Sequence, residues 1–333
     1  MLSVFLSQTL LALNQYDRSA GTQSTRYYRK NKDMCGWIAL DKFLTWPVNY
    51  VFEGYSLILA RGELYLIGGS YRSGSGNWRS CSHMFRYNAA TNDWIQHADM
   101  NVARRDQLAV YHEDYIYVIG GWSTTSHITD VERFNMDEDT WETLPHLPVD
   151  CSATSAVVFD NKVLVYAEES VERRYLGYLM LFQPESRQWD VLLSEGISSS
   201  SSLRVLIPPL LVLHQQRCYR VAYVSGVASV QQIHLTTIDG KMEATLGRSQ
   251  NVVEQKNVGK TGARFFCIDE ARFANLRGYA YLMDTEGVTV DMFADLLRDL
   301  NVCSPCACFI EMSLDVHKLG EGNPMLHPIV HFS

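Results

Sequence analysis

Apolar and polar residues alternate in short runs along most of the chain, and the runs recur at a fixed spacing. The repeat is marked by tryptophans at intervals of 48, 47 and 48 residues: Trp46, Trp94, Trp141 and Trp189. Seven residues before the last three stands an aromatic residue: Tyr87, Phe134 and Phe182. This pattern predicts two short antiparallel strands joined by a tight polar turn, with one large side chain from each strand in the core.

An apolar strand precedes each of these hairpins, and in the first two copies it ends in two glycines. It reads ELYLIGG at 63–69 and YIYVIGG at 115–121, whereas the third copy, VLVYAEE at 163–169, has lost its glycines. Two glycines after a strand allow positive φ or a close approach of two backbones. A unit of about 48 residues with four strands is typical of one blade of a β-propeller.

The run MNVARRDQLAVYHEDYIYVIGGW, followed by VERFNMDEDTWETLPHLP, resembles a Kelch repeat, and most closely the repeats of the Kelch-like family. The motif is specific over residues 50–193 and degenerates beyond them. The resemblance implies an all-β, Kelch-type β-propeller formed as a single domain by residues 1–333. The resemblance also implies a function, because domains of the Kelch-like family resemble substrate adaptors of cullin-based ubiquitin ligases.

Similar strand signals at 9–15, 218–226 and 277–284 bring the count to six, and we therefore expect six blades, the last two degenerate. The expected blades span these residues: 1–49, 50–97, 98–145, 146–195, 196–248 and 249–326. The segment HPIVHFS at 327–333 is expected to complete the first blade and close the ring, because closure removes exposed sheet edges.

One segment departs from the strand pattern. Five apolar residues within 289–301 fall on a single helical face: Val290, Phe293, Leu296, Leu297 and Leu300. This spacing predicts a short helix near residues 290–301, inserted in the sixth blade.

Composition narrows the class of protein. The chain has 29 Lys and Arg against 37 Asp and Glu, a net charge of −8, which argues against binding to nucleic acids or acidic membranes. No run approaches the roughly 20 apolar residues of a membrane span. The N-terminal region lacks the basic stretch and cleavage site of a secretion signal, the eight cysteines include five that are widely scattered, and no N-x-[ST] sequon occurs. We therefore expect a cytoplasmic protein.

Enzyme signatures are weak. The sequence VGKTG at 258–262 contains GKT, but Glu254 stands where a phosphate-binding loop requires glycine. Cys303, Cys306 and Cys308 have C-x-x-C spacing that suits zinc, yet a second C-x-x-C pair is missing. We expect no enzyme activity and no cofactor, and we keep the three cysteines only as a weak metal candidate.

The loops of the propeller are the expected site of function. The resemblance implies that partner peptides dock on the loops after the diglycine strands, together with the segment that leads into the next blade. Long loops are predicted at 16–34, 70–81, 122–129 and 168–175. Where many relatives have arginine just before the inner strand, this chain has Asp106. The candidate partner-binding residues are Arg26, Arg29, Tyr71, Arg72, Trp78, Arg79, Arg105, Asp106, Trp122, His127, Arg173 and Arg174.

Arginine and aromatic residues are enriched at binding hot spots, and a guanidinium group suits carboxylate and phosphate. The expected partner is therefore a protein or peptide, acidic or phosphorylated. We expect substrate recognition for a cullin-type ubiquitin ligase first, an actin or cytoskeletal scaffold as the alternative, and a propeller enzyme as a distant third. The BTB domain that would contact cullin does not fit before Thr9, and neither does a BACK domain. The chain is thus expected to be a fragment or isoform of such an adaptor, or a Kelch protein that consists of the propeller alone.

Overall fold

The computed structural model of the chain describes the following residues: 6–17, 22–30, 35–40, 50–73, 76–88, 93–171, 174–197, 209–214, 216–224, 227–238, 241–251, 265–267, 272–275, 280–283, 288–290, 309–315 and 326–327. All regular structure among them is β-strand, which confirms the all-β prediction. None of these residues belongs to a helix long and apolar enough to cross a membrane.

The first fourteen strands in chain order are β1 (Leu6–Asp17), β2 (Thr22–Lys30), β3 (Cys35–Leu40), β4 (Tyr50–Glu53), β5 (Ser56–Ala60), β6 (Glu63–Ile67), β7 (Ser70–Ser73), β8 (Arg79–Ser80), β9 (Met84–Asn88), β10 (Asp93–Gln96), β11 (Leu108–His112), β12 (Tyr115–Ile119), β13 (Val131–Asn135) and β14 (Thr140–Leu144). Those that follow are β15 (Ser152–Phe159), β16 (Lys162–Val171), β17 (Arg174–Gln183), β18 (Gln188–Ile197), β19 (Leu210–His214), β20 (Arg217–Val224), β21 (Val227–Ile238), β22 (Lys241–Leu246), β23 (Gln250–Asn251), β24 (Phe265–Cys267), β25 (Arg272–Asn275), β26 (Ala280–Met283), β27 (Val288–Val290), β28 (Phe309–Asp315) and β29 (Leu326–His327).

These strands form a series of antiparallel sheets. Four sheets follow the order of the chain or nearly so: β10-β9-β6-β5, β11-β12-β13-β14, β15-β16-β17-β18 and β24-β25-β26-β27. A fifth sheet contains β19-β20-β21-β22 with β23 beside β21, and a small sheet joins β4, β7 and β8. The first strands of successive sheets contact one another, from β5 to β11, β15, β19 and β24. This is the arrangement of a propeller, whereas the number of six blades stays a prediction.

Apolar side chains pack between neighbouring sheets, because both faces of each central strand are covered. In β12, Ile116 and Val118 face the sheet of β5–β10, whereas Tyr117 and Ile119 face the sheet of β15–β18. The same alternation in β16 sends Leu164 and Tyr166 toward the sheet of β19–β22. Side chains in a strand point alternately to its two faces, so an almost wholly apolar strand fits a sheet buried on both sides.

The tryptophan repeat is visible in the packing of the outer strands. Each tryptophan ring lies against the aromatic ring seven residues before it, with centroids 5.0–5.3 Å apart: Tyr87–Trp94, Phe134–Trp141 and Phe182–Trp189. Trp141 Nε1 donates to the carbonyl of Ala98 at 2.8 Å, and Trp189 Nε1 donates to that of Pro145 at 3.0 Å. Each of these two bonds joins one sheet to the end of the preceding sheet, and Trp46 lies outside the described residues.

The first sheet combines both ends of the described chain. Its order is β29-β28-β1-β2-β3, and Phe309–Asp315 pairs antiparallel with Leu6–Ala12. The segment 327–333 was expected to supply this strand. Instead, β28 lies beside β1, His327 ends the neighbouring strand β29, and residues 328–333 lie outside the described part.

The helix expected near 290–301 overlaps the described residues only at Val290. Strand β27 extends through Val290 and pairs Tyr281 with it, so Thr289 and Val290 are not helical. These two residues continue a run of β-branched side chains, which favours a strand. Residues 291–301 lie outside the described residues.

Candidate partner-binding surface

The two diglycine pairs create sharp turns at one end of the propeller. Gly68 and Gly120 have φ of 59° and 61°, values that favour glycine. A Cβ on Gly68 would lie 2.6 Å from Gln107 Nε2 and 2.8 Å from the carbonyl oxygen of Arg104. A side chain on Gly68 would therefore clash with the segment before β11.

A fully buried ion pair fixes the segment beneath these loops. Arg104 and Glu132 have no exposed side-chain surface and bond directly to each other. Arg104 also donates to the carbonyls of Gly120 and Asp130, at 3.0 and 2.7 Å. Glu132 accepts from the backbone N–H groups of residues 101 and 102. Burial lowers the pKa of Arg104, and the negative charge of Glu132 opposes this effect. The pair thus joins the segment before β11 to the loop after β12.

Trp122 is exposed although its backbone is held on both sides. Its N–H donates to Arg105 and its carbonyl accepts from Arg105, at 2.8 and 2.9 Å, and it also forms a bridge with His127. The residue as a whole is 37% exposed, and the His127 ring packs edge-on against its indole with centroids 5.6 Å apart. Ser80 Oγ also lies 3.5 Å from the carbonyl oxygen of Trp122. Such a preorganised, exposed aromatic suits binding at little entropic cost.

The β7–β8 hairpin carries two arginines, one in each strand. The Arg72 guanidinium lies 5.3 Å from the centre of the Trp78 ring, and Arg79 is exposed. Among the residues that the structure describes, neither arginine forms an ion pair. By contrast, Arg105 Nη1 bonds to Asp106 Oδ2 at 2.5 Å, so its charge is locally neutralised. Asp106 has a φ of 52°, and its N–H donates to the Gly54 carbonyl at 2.6 Å.

The third copy of the diglycine strand does not turn. Glu168 and Glu169 replace the glycines, and β16 continues through them to Val171, paired with β17. Burial raises the pKa of Glu168 from 4.5 to about 7. The Tyr178 hydroxyl donates to Glu169 Oε2 at 2.7 Å, and this bond, together with burial, raises the pKa of Tyr178 to about 12. A straight hairpin therefore stands where the chain turns at the two glycines in the other two copies.

Several predicted loops are strands. Arg26 and Arg29 lie within β2, and Arg174 begins β17, so residues 16–34 and 168–175 are mainly β-hairpins. Threonine and tyrosine in Thr22–Lys30 favour an extended chain, and the neighbouring strands β1 and β3 satisfy its backbone. Arg173, Cys303, Cys306 and Cys308 lie outside the described residues.

The structure gathers part of the predicted set around Trp122. Arg105 and His127 are its neighbours through the two backbone bridges. Ser80 of β8 contacts its carbonyl, whereas Arg79, the preceding residue of that strand, pairs with Tyr71 of β7. Tyr71 is partly buried against an apolar cluster. Sequence reasoning missed Asp150, whose Oδ1 lies 2.8 Å from His127 Nε2. No local pattern could have found it, because 23 residues separate the two along the chain.

The sequence is similar to known proteins that contain Kelch repeats. The Kelch motif profile matches residues 103–148. Kelch-like protein 15 of Homo sapiens is 28% identical over 109 residues, which cover 33% of this chain and 18% of that protein. A Kelch repeat-containing protein of Dictyostelium discoideum is 28% identical over 156 residues, or 44% of this chain and 22% of that protein. The matches thus span about a fifth of the length of these curated relatives.

A solved structure shows the same fold. The structure of YjhT superposes with a TM-score of 0.53 and 12% sequence identity, over 80% of this chain and 91% of that one. Together, the motif, the relatives and the sheets show a Kelch-repeat domain that resembles those of Kelch-like proteins.

Proposed function

We propose that the chain is a non-enzymatic interaction module that binds a protein or peptide on the surface around Trp122. The observation that carries this proposal is the exposed Trp122, held by backbone bonds to Arg105 and bracketed by Ser80 and His127. Aromatic and arginine side chains dominate binding energy at protein interfaces. The role requires no cofactor, and the net charge of −8 disfavours nucleic acids and acidic membranes as partners.

The cellular role that we favour is substrate recognition for a cullin-type ubiquitin ligase in the cytoplasm. The similarity to Kelch-like proteins supports it, although the matched segments cover only a small part of those proteins. Contact with cullin would then require a BTB domain in addition to the propeller. An actin or cytoskeletal scaffold is the second candidate, since a Kelch-repeat surface without that domain could bind a structural protein directly.

The test compares proteins captured by the wild type and by Trp122→Ala, after expression of the whole natural protein in cells. Loss of a hot-spot side chain costs about 2 kcal/mol or more, so we expect partner binding to fall about thirtyfold. Ile95→Ala is the matched control, because Ile95 is a large apolar residue of equal exposure, 38%, on the outer strand β10. The Ile95→Ala protein should capture the same partners as the wild type.

The same eluates separate the candidate roles. Cullin and ubiquitylated proteins captured by the wild type favour the ligase role, with only the ubiquitylated substrates lost in Trp122→Ala. Actin lost in Trp122→Ala favours the scaffold. If Trp122→Ala and the wild type capture the same proteins in equal amounts, Trp122 is not part of the binding surface.

A further inference from the structure

We infer that the surface around Trp122 binds a basic side chain of the partner, an arginine or a lysine, which stacks on the indole and has Asp150 as its counter-charge. This inference rests on the proposed function and specifies the chemistry of its ligand. It differs from the expectation of an acidic or phosphorylated partner, because it follows the charges that the contacts connect to Trp122.

The flank of Trp122 formed by Arg105 offers little net charge. Arg105 is joined to Trp122 by two backbone hydrogen bonds, of 2.8 and 2.9 Å. Its side chain is 36% exposed, and Nη1 bonds to Asp106 Oδ2 at 2.5 Å. Because the carboxylate of Asp106 balances the guanidinium, this pair attracts neither an acidic nor a basic ligand strongly. Ser80, which contacts the Trp122 carbonyl, carries no charge.

The flank formed by His127 and Asp150 is negative. The His127 ring packs edge-on against the indole with centroids 5.6 Å apart, and Asp150 Oδ1 lies 2.8 Å from His127 Nε2. The Asp150 side chain is 84% exposed, against 33% for His127. An imidazole in its neutral form leaves the charge of the carboxylate uncompensated. Asp150 is also more exposed than the charged groups of Arg105 and Asp106 on the other flank.

An exposed indole close to an exposed carboxylate suits a cation. The face of tryptophan attracts a guanidinium or ammonium group more strongly than the faces of tyrosine and phenylalanine do. Arginine can stack on an aromatic ring and can also pair with a carboxylate. Trp122 is 37% exposed, and Asp150 contacts the ring that packs on its indole. An acidic residue on Trp122 would instead approach the like charge of Asp150, which is unfavourable.

The test uses random peptides of about twelve residues displayed on phage, which span up to about 40 Å when extended. They are selected on the full chain and kept only if they fail to bind Trp122→Ala. We expect the retained peptides to share an arginine or a lysine. Replacing this residue with an uncharged analogue, citrulline for arginine or norleucine for lysine, should weaken binding about tenfold. This is the combined effect of one exposed cation–π contact and one exposed ion pair.

The variant Asp150→Asn identifies the counter-charge. Asparagine keeps an oxygen that can accept a hydrogen bond from His127, so the variant mainly loses the charge. The uncharged analogue should then weaken binding only about threefold, because neither peptide can form the ion pair with this variant.

The matched control is Asp160→Asn. Asp150 precedes β15 and Asp160 follows it, and the Asp160 side chain is 75% exposed and contacts Lys162. This variant also loses one exposed carboxylate, but at the other end of the strand. The analogue should therefore weaken binding to it about tenfold, as with the wild type.

The outcomes distinguish the inference from the function on which it rests. If Trp122-dependent peptides are recovered but are acidic, or bind equally well with the uncharged analogue, the basic ligand is wrong and the binding surface stands. If the analogue has the same effect on Asp150→Asn as on the wild type, Asp150 is not the counter-charge. If no recovered peptide depends on Trp122, both the surface and its ligand are wrong.

Discussion

Replacing Arg104 with methionine should lower the free energy of unfolding by about 3–5 kcal/mol, the usual cost of breaking a buried ion pair from one side. Methionine preserves much of the side-chain volume, so the loss comes mainly from the charge. Glu132, which is fully buried, would remain without its counter-charge. The carbonyls of Gly120 and Asp130 would also lose the donor that now holds them.

The neighbouring arginine provides the control for this prediction. Arg105 forms its ion pair with Asp106 near the surface, and such pairs contribute about 0–1 kcal/mol. Urea denaturation of Arg104→Met and Arg105→Met should therefore give very different midpoints. Equal midpoints would show that the buried pair does not hold the diglycine loop to the segment before β11.

Replacing Glu168 with glutamine should stabilise the protein above pH 7 by about 3 kcal/mol. The pKa of Glu168 is about 7 in the folded protein, above the ordinary value of 4.5, because burial disfavours the charged form. A carboxyl group with a raised folded pKa costs no stability below pH 4.5. The cost grows between pH 4.5 and 7 and is complete above pH 7, at about 1.4 kcal/mol per pKa unit. Glutamine removes the charge and therefore this cost.

Urea denaturation of the wild type and Glu168→Gln at pH 4.5 and pH 8 measures this effect. The two proteins should differ little at pH 4.5 and most at pH 8. Glu169→Gln is the matched control, because Glu169 is the next residue of the same strand and accepts a hydrogen bond from Tyr178. A gain that is the same at both pH values would refute the titration of Glu168 as its cause.

The repeat could be predicted from sequence because its marker residues perform the same local task in every copy. Trp94, Trp141 and Trp189 each pack against the aromatic residue seven positions earlier, and the two glycine pairs have positive φ, which other residues rarely adopt. The two glycines of a pair are adjacent, and each aromatic residue precedes its tryptophan by seven residues, so spacing along the chain reveals both features. They were sufficient to predict the all-β propeller.

The closing strand and the binding surface depend on contacts that spacing does not encode. Phe309–Asp315, rather than HPIVHFS, lies beside β1, and neither segment carries the tryptophan or diglycine marker. The pairing of His127 with Asp150 likewise arises only once two sheets are adjacent. Basic residues that the sequence placed on loops, such as Arg26, lie in strands because backbone pairing with neighbouring strands outweighs their polarity.

The central claim, that partners bind around Trp122, is tested most directly by placing a photo-crosslinking phenylalanine derivative at single positions of the whole protein in cells. Position 122 keeps an aromatic ring on the proposed surface, whereas position 160 lies in the exposed turn at the other end of the β15–β18 sheet. We expect covalent partner adducts from position 122 and none from position 160. Adducts from position 160 without any from position 122 would contradict the proposed surface.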